Sequence, residues 1–163
     1  MEIRQARVDD AAAVTALIDL VAQNDATLGL DRYPGGADVL RRQMEGTPKD
    51  VSTFLVAADG GAIVGYAFIG RYITPTLAHV GVLSIVVHPA HRRAGVGRRL
   101  MDEGALWAGS VGVRKLTLSV LATNAAGRAL FVASGFATEA VRKGQFRIGS
   151  ADVDEVLMAR WLS

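Results

Sequence analysis

Val82–Met101, VLSIVVHPAHRRAGVGRRLM, changes character twice within one short stretch. Val82 to Val87 is an apolar, β-branched run of strand length that ends at His88-Pro89. Arg92-Arg93-Ala94-Gly95-Val96-Gly97-Arg98-Arg99 follows and leads into a helical pattern, with Val96, Leu100, Gly104, Trp107 and Val111 spaced by three and four. A buried strand, a glycine-containing turn and a helix start crowded with arginines make a seat for a polyanion. The first N–H groups of a helix lack intrahelical partners, and its dipole favours negative charge there. Glycine removes the Cβ that would block close approach of backbone to a phosphate. A plain βα unit with a solvated basic turn would give the same local pattern.

Length and composition fit one soluble globular domain. The chain has 163 residues, half of them apolar and 21% charged. No apolar run approaches the roughly 18 residues that cross a bilayer, and Met1-Glu2-Ile3-Arg4 opens no signal-peptide core. The expectation is a cytoplasmic protein without a membrane partner. The absence of cysteine excludes disulfides, thiolate metal sites and a cysteine nucleophile. A net charge of +2 is too small for a nucleic-acid binder, but its distribution is uneven. Residues 1–80 carry 7 Lys/Arg against 10 Asp/Glu, whereas residues 81–163 carry 11 against 6. The basic half contains the arginine turn, as a locally held anionic ligand requires.

In chain order, Ile3–Ala6 reads as a strand. Asp9 or Asp10 should cap a helix with apolar positions Ala13, Val14, Leu17, Ile18 and Val21. A turn-rich segment runs from Asn24 to Gly36, and a shorter helix follows over Asp38–Glu45. Phe54–Ala58 and Ile63–Ile69 form a hairpin through Asp59-Gly60-Gly61. The Val82 strand should lie antiparallel to its predecessor across Tyr72–Ala78. After the arginine helix, Lys115–Leu121 alternates as a strand, and Asn124 opens a helix that stops at Gly135. Phe136–Lys143 and Val153–Arg160 make a final strand pair around Gly144–Ser150. An early hairpin followed by β–α–β–α–β predicts a mixed sheet, part antiparallel and part parallel.

These residues resemble the GCN5-related N-acetyltransferase (GNAT) superfamily, in its bacterial branch acting on small molecules and amino acids. Arg92-Arg93-Ala94-Gly95-Val96-Gly97 is similar to that family's (Gln/Arg)-x-x-Gly-x-(Gly/Ala) loop, with the Val-rich strand directly before it. Asn124-Ala125-Ala126, Ala129-Leu130-Phe131 and Ser134-Gly135-Phe136 resemble its second cofactor-side motif, and Asp154–Arg160 resembles a common terminus. The likeness covers essentially the whole chain. It implies one domain, residues 1–163, with a mostly antiparallel sheet of about six or seven strands flanked by about four helices. It also implies acetyl-CoA as co-substrate, a small amine as acceptor, no metal, and room for a homodimer.

On that resemblance, backbone N–H groups from Arg93 through Ala94, Gly95, Val96 and Gly97 to Arg98 cradle a pyrophosphate, with Arg92, Arg93, Arg98 or Arg99 adding charge-assisted contacts. The edge of the preceding strand, at Ile85, Val86 and Val87, meets the pantetheine amides, and the N–H of Ile85 or Val86 is the oxyanion donor. Asn124 either contacts the pantetheine end or simply caps its helix. Phe131 stands where the family usually has a tyrosine that protonates the leaving thiolate. Gly81, Leu83 and Ser119 stand where general-base carboxylates are common, so the catalytic acid and base are unassigned. Ser84 and Ser119 could hold a water. Tyr72, His79 and Tyr33 are candidates to line the acceptor pocket. His88 and His91 flank Pro89 without metal partners at ligand spacing. General acid–base catalysis contributes about 10²–10⁴-fold, so its absence need not abolish transfer. With no cysteine, direct attack by the amine is the simplest route. A protein N-terminus as acceptor, or a regulatory module that binds acyl-CoA without chemistry, are the alternatives.

Overall fold

The computed structural model describes residues 1–163. Its seven strands are β1 (Glu2–Gln5), β2 (Ser52–Asp59), β3 (Ala62–Arg71), β4 (Val80–Val87), β5 (Lys115–Leu121), β6 (Ala137–Ile148) and β7 (Ala151–Trp161). They form one sheet in the order β1-β2-β3-β4-β5-β7-β6. Every pairing is antiparallel except β4 with β5. Four α-helices flank it: α1 (Ala11–Asp25), α2 (Gly36–Gly46), α3 (Val96–Ser110) and α4 (Ala125–Ala133). This is the mixed, mostly antiparallel α/β architecture that the sequence led us to expect.

Strand alternation divides the core in two. Leu55, Ala57, Ala67, Ile69 and Leu83 pack with Val96, Leu100 and Met101 of α3 and Phe131 of α4. Val56, Tyr66 and Val86 pack on the opposite face with Val14, Leu17, Ile18 and Val21 of α1 and Leu40 of α2. Two glycines of α3 leave room for side chains of β3 and α4. A Cβ on Gly104 would stand 2.8 Å from the Ile69 side chain, and one on Gly97 2.8 Å from Leu130.

Three local expectations are revised. Asp10 precedes α1 but does not cap it with its side chain. Its carboxylate instead receives the Arg4 guanidinium at 2.7 and 3.0 Å and the Arg7 N–H at 2.7 Å. A bidentate partner outcompetes the helix N–H groups for those lone pairs. In α1, Ala11 rather than Ala13 completes the buried face. The last hairpin is longer than predicted, because register shifts between Arg142 and Phe146 absorb Gly144, which has φ of 58°, and pairing resumes to Ile148. A glycine bulge therefore read as a loop. Phe146 in that extension packs against Gly29, tying the hairpin to the loop after α1.

Candidate active site

The site begins where β4 and β5 part. Their pairing covers only Val80, Gly81 and Val82 against Lys115, Leu116 and Thr117, and β5 then continues with β7. Beyond Val82 one edge of β4 therefore has no strand beside it. Hydrogen bonding alternates along an antiparallel pair, and two bonds set its phase: Tyr72 N–H to Val80 O at 3.1 Å and His88 N–H to Val64 O at 2.9 Å. With Tyr66 opposite Val86 and Phe68 opposite Ser84, the N–H groups of Ser84 and Val86 are spent on β3. Those of Ile85 and Val87 face the gap, whereas the Leu83 N–H makes the last bond to β5, at Thr117 O. Of the two donors suggested by the sequence, Ile85 has the free N–H and Val86 does not.

The turn after β4 supplies the positive end. Arg93 and Gly95 hold φ of 62° and 78°, and Gly95 is the N-cap of α3. Nothing lies within 4 Å of a Cβ on Gly95, so glycine is needed there for backbone conformation and leaves the space in front of the helix open. Arg92 donates to Val87 O at 3.3 Å and is ion-paired with Asp25 at the end of α1. Arg98 is held loosely, 3.8 Å from Asp102. A cleft of about 380 Å³ runs from this turn to α4. Ile85, Val86, Val87, Arg92, Arg93, Gly95, Val96, Gly97, Arg98, Asn124 and Phe131 all border it, and Ala94 does not.

Asn124 has both suggested placements. Its Oδ1 accepts the Gly127 N–H at 2.8 Å, capping α4, and the residue also borders the cleft. Phe131 is buried, with its ring 6.1 Å from that of Phe136. A smaller cavity fills the gap itself, lined by Ser84, Ile85, Ser119, Asn124, Phe131 and Phe146 among others. An anionic head at the turn, an amide-bearing arm along the free β4 edge and an acyl group near Ile85 all find complementary chemistry here.

On the far side of β4 lies a cavity of about 530 Å³, within the ordinary range for small-molecule sites. Its floor is the sheet face carrying Phe54, Tyr66, Phe68, Ser84 and Val86, and its roof includes Leu28, Leu30, Tyr33 and Pro34. The roof is anchored: Tyr33 N–H donates to Asp19 Oδ1 at 2.5 Å, and Tyr33 Oη donates to Gln43 Oε1 at 2.8 Å. Burial raises the Tyr33 phenol above its ordinary range. It raises Tyr66 much further, with neighbouring Tyr33 adding to the effect. Both phenols are neutral at physiological pH and cannot serve as resting bases. Ser52 borders this cavity too, and its buried Oγ has no partner.

Two acceptor candidates therefore border this cavity, Tyr33 and Ser84, and two lie elsewhere. Tyr72 is exposed beyond β3, and the His79 ring stacks on Trp161 at 6.5 Å. Both belong to the end of β4 still paired with β5, away from the gap. Phe54, Tyr66 and Phe68 escaped the sequence reading because period-two aromatics in a strand look like core. Asp25 escaped because its partner is 67 residues away.

The acetyltransferase (GNAT) family model matches residues 19–136. The chain is 35% identical over 100 residues to the N-alpha-acetyltransferase RimI of Mycobacterium tuberculosis, covering 61% of each protein. It thus spans less than two thirds of that relative. It is 30% identical over 149 residues to an L-methionine sulfoximine/L-methionine sulfone acetyltransferase of Salmonella typhimurium, covering 86% of this chain and 82% of that one. Among solved structures, yncA from Salmonella typhimurium with its cofactor acetyl-CoA superposes with a TM-score of 0.86 at 26% identity, covering 100% of this chain and 94% of the other.

Proposed function

This chain belongs to the acetyltransferase (GNAT) family, and from that premise we propose that it moves the acetyl group of acetyl-CoA to a primary amine of a small molecule or free amino acid. The observation that carries the reading is the unpaired β4 edge. It lies between an arginine-rich helix start and a separate cavity on the opposite face. Acetyl-CoA supplies an acyl group activated as a thioester. The N–H groups at the start of α3, with Arg92, Arg93 and Arg98, would hold its pyrophosphate. The edge groups of Ile85 and Val87 would take the pantetheine amides, and the Ile85 N–H would stabilise charge on the carbonyl oxygen. Phe131 and Asn124 would wall the arm.

The chain has no cysteine to carry the acyl group, so the acceptor nitrogen attacks the carbonyl carbon directly. The C–N bond forms, the C–S bond breaks, and the proton lost by the amine offsets the one taken up by the departing thiolate. A thiol pKa of about 8.5 lets the thiolate leave without a strong acid. That accommodates Phe131 where the family usually has a tyrosine. The likeness to an L-methionine sulfone acetyltransferase supports a free amino acid or a compact analogue. A protein N-terminus is the second reading, supported by the likeness to an N-alpha-acetyltransferase.

With no carboxylate bordering the acceptor cavity, the amine must arrive neutral. The α-amine of a peptide terminus, of pKa about 7.7–8.0, is substantially neutral near pH 7.5, whereas a lysine-type amine of pKa about 10.4 is neutral to about one part in 10³. A free amino acid lies between them, because its own carboxylate stabilises the ammonium. CoA release measured with short peptides, free amino acids, N-terminally blocked lysine and simple alkyl amines between pH 6 and 10 tests this. The expected result favours low-pKa amines, by about two decades for a peptide terminus over a lysine-type amine and by less for a free amino acid, with a rate that climbs until the acceptor itself is deprotonated. No release with any amine, despite tight acetyl-CoA binding, would leave a regulatory acyl-CoA-binding module instead.

A further inference from the structure

We propose that the acceptor is a ring-bearing primary monoamine, received on the face of Phe68 where that ring lies over Gly70. The proposal deepens the acetyl-transfer reading and rests on it. A Cβ built on Gly70 would stand 2.8 Å from Phe68 Cζ and 3.2 Å from Cε1, so the ring occupies the space of the side chain that glycine lacks. The neighbouring ring of Phe54 meets it at 5.4 Å and 52°. Together they form an aromatic floor that borders the acceptor cavity. In the register, Phe54 pairs with Phe68 and Phe68 with Ser84. Adjacent strands stand about 4.8 Å apart, so a ring resting on Phe68 is one strand away from Ser84 and its neighbour Ile85. An amine two or three bonds from such a ring would reach the gap in β4.

Charge narrows the class further. None of the residues bordering the cavity is acidic, and its polar members Gln43, Thr47, Ser52 and Ser84 are neutral. The one ionised side chain is Arg71, whose guanidinium is taken by Asp50, through its carbonyl at 2.5 Å and its carboxylate at 3.1 Å. A second ammonium on the acceptor would lose water against Ile18, Leu28, Leu30 and Phe54 with no counter-ion. Attraction of a cation to ring faces recovers only part of that loss. An apolar ring loses nothing there and gains burial.

The test measures CoA release with 2-phenylethylamine, ethylamine, lysine and spermidine, in the natural chain and in Gly70→Ala and Phe68→Ala. Circular dichroism and acetyl-CoA calorimetry on each variant confirm fold and cofactor binding. Expected in the natural chain, with kcat/KM expressed per neutral amine, is at least a tenfold preference for phenylethylamine over ethylamine, and over lysine and spermidine. In Gly70→Ala the new methyl must displace the Phe68 ring, and the phenylethylamine-to-ethylamine ratio should fall at least tenfold. Phe68→Ala should lower the same ratio by removing the platform. Spermidine or lysine as the best acceptor would overturn the proposal, as would an unchanged ratio in both folded variants. If no amine releases CoA, the acetyl-transfer reading fails, and calorimetry of phenylethylamine with the acetyl-CoA-loaded protein decides the platform. Binding lost in Gly70→Ala supports it, and no binding to the natural chain rejects it.

Discussion

Asp25, the last residue of α1, is ion-paired with Arg92 of the arginine turn, and the residue after each adopts a left-handed backbone. Ala26 has φ of 48° and Arg93 has φ of 62°, and they are the two non-glycine residues of the chain with positive φ. Each such residue costs about 1–2 kcal/mol, and a carboxylate at a helix C-terminus opposes the helix dipole. The pair therefore sits on unfavourable local structure at both ends, which tertiary contacts must offset. Thr27 and Leu28, just beyond Asp25, border the cleft at the arginine turn, and Leu28 also borders the cavity on the far side of β4. A change at this pair reaches both sides of the site.

Asp25→Asn removes a carboxylate that neutralises one arginine of an anion seat, while the bond from Arg92 to Val87 O keeps that side chain near the cleft. We expect acetyl-CoA to bind several-fold more tightly, with a steeper loss of affinity as salt is added. Stability should fall by no more than about 1 kcal/mol, since both partners are partly exposed. Calorimetry at several ionic strengths checks it. Weaker binding in a fully folded variant would show instead that Asp25 positions Arg92.

Gly95→Glu should abolish acetyl-CoA binding while the fold survives. The glycine is the N-cap of α3 with φ of 78°, and open space surrounds its missing Cβ. A carboxylate there meets the pyrophosphate at the helix start. Gly95→Ala separates charge from strain. Both variants pay the left-handed backbone, about 1–2 kcal/mol, but only the glutamate should lose affinity by more than about 100-fold, which is roughly 2.8 kcal/mol. Equal affinities in the two variants would place the pyrophosphate elsewhere.

Much of this site was legible in the sequence, and what was not has physical causes. The strand, the arginine turn and α3 follow from β-branched periodicity, glycine and helical spacing. The α4 start follows from Asn124, whose side chain does cap it. The choice of Ile85 over Val86 needed the phase of hydrogen bonding with β3, which composition does not encode. The gap lies where β4 and β5 stop pairing after Val82 and Thr117, while β5 stays paired with β7 along its other edge. Tyr72 and His79 looked suitable by residue type, but the β3–β4 connection carries them to the closed end of β4. Phe68 owes its placement to Gly70 beneath it, a relation that neither residue reveals alone.

Tyr66 gives a pH signature of folding. Burial holds its phenol well above the ordinary value of 10.0. Below that value both folded and unfolded chains keep the proton, and the stabilisation is fully present. Above it the unfolded chain ionises first, binds fewer protons than the native chain, and stability falls with rising pH. Urea denaturation between pH 9 and 11 should show this decline, and Tyr66→Phe should flatten it. An unchanged slope in the variant would mean that the Tyr66 phenol ionises freely in the folded protein.

Phe131→Tyr asks whether the missing acid limits turnover. The ring is buried and borders the cofactor cleft beside Phe136. The substitution adds one hydroxyl to an otherwise retained shape. If that hydroxyl reaches the cleft, it can donate to the departing thiolate, and the change in stability should stay within about 1 kcal/mol. If it is buried without a partner, the cost rises to about 1–3 kcal/mol and melting reports it. We expect the first case, with kcat raised where thiolate departure limits the rate, by at most about 10²-fold. Where departure is already fast, kcat should stay unchanged. Acceptors of different pKa separate these two regimes, because a less basic amine is expelled more readily from the tetrahedral intermediate and shifts the limiting step toward thiolate departure. A sharp fall in kcat with acetyl-CoA still bound would mean that the phenylalanine ring has a packing role against the arm that tyrosine does not share.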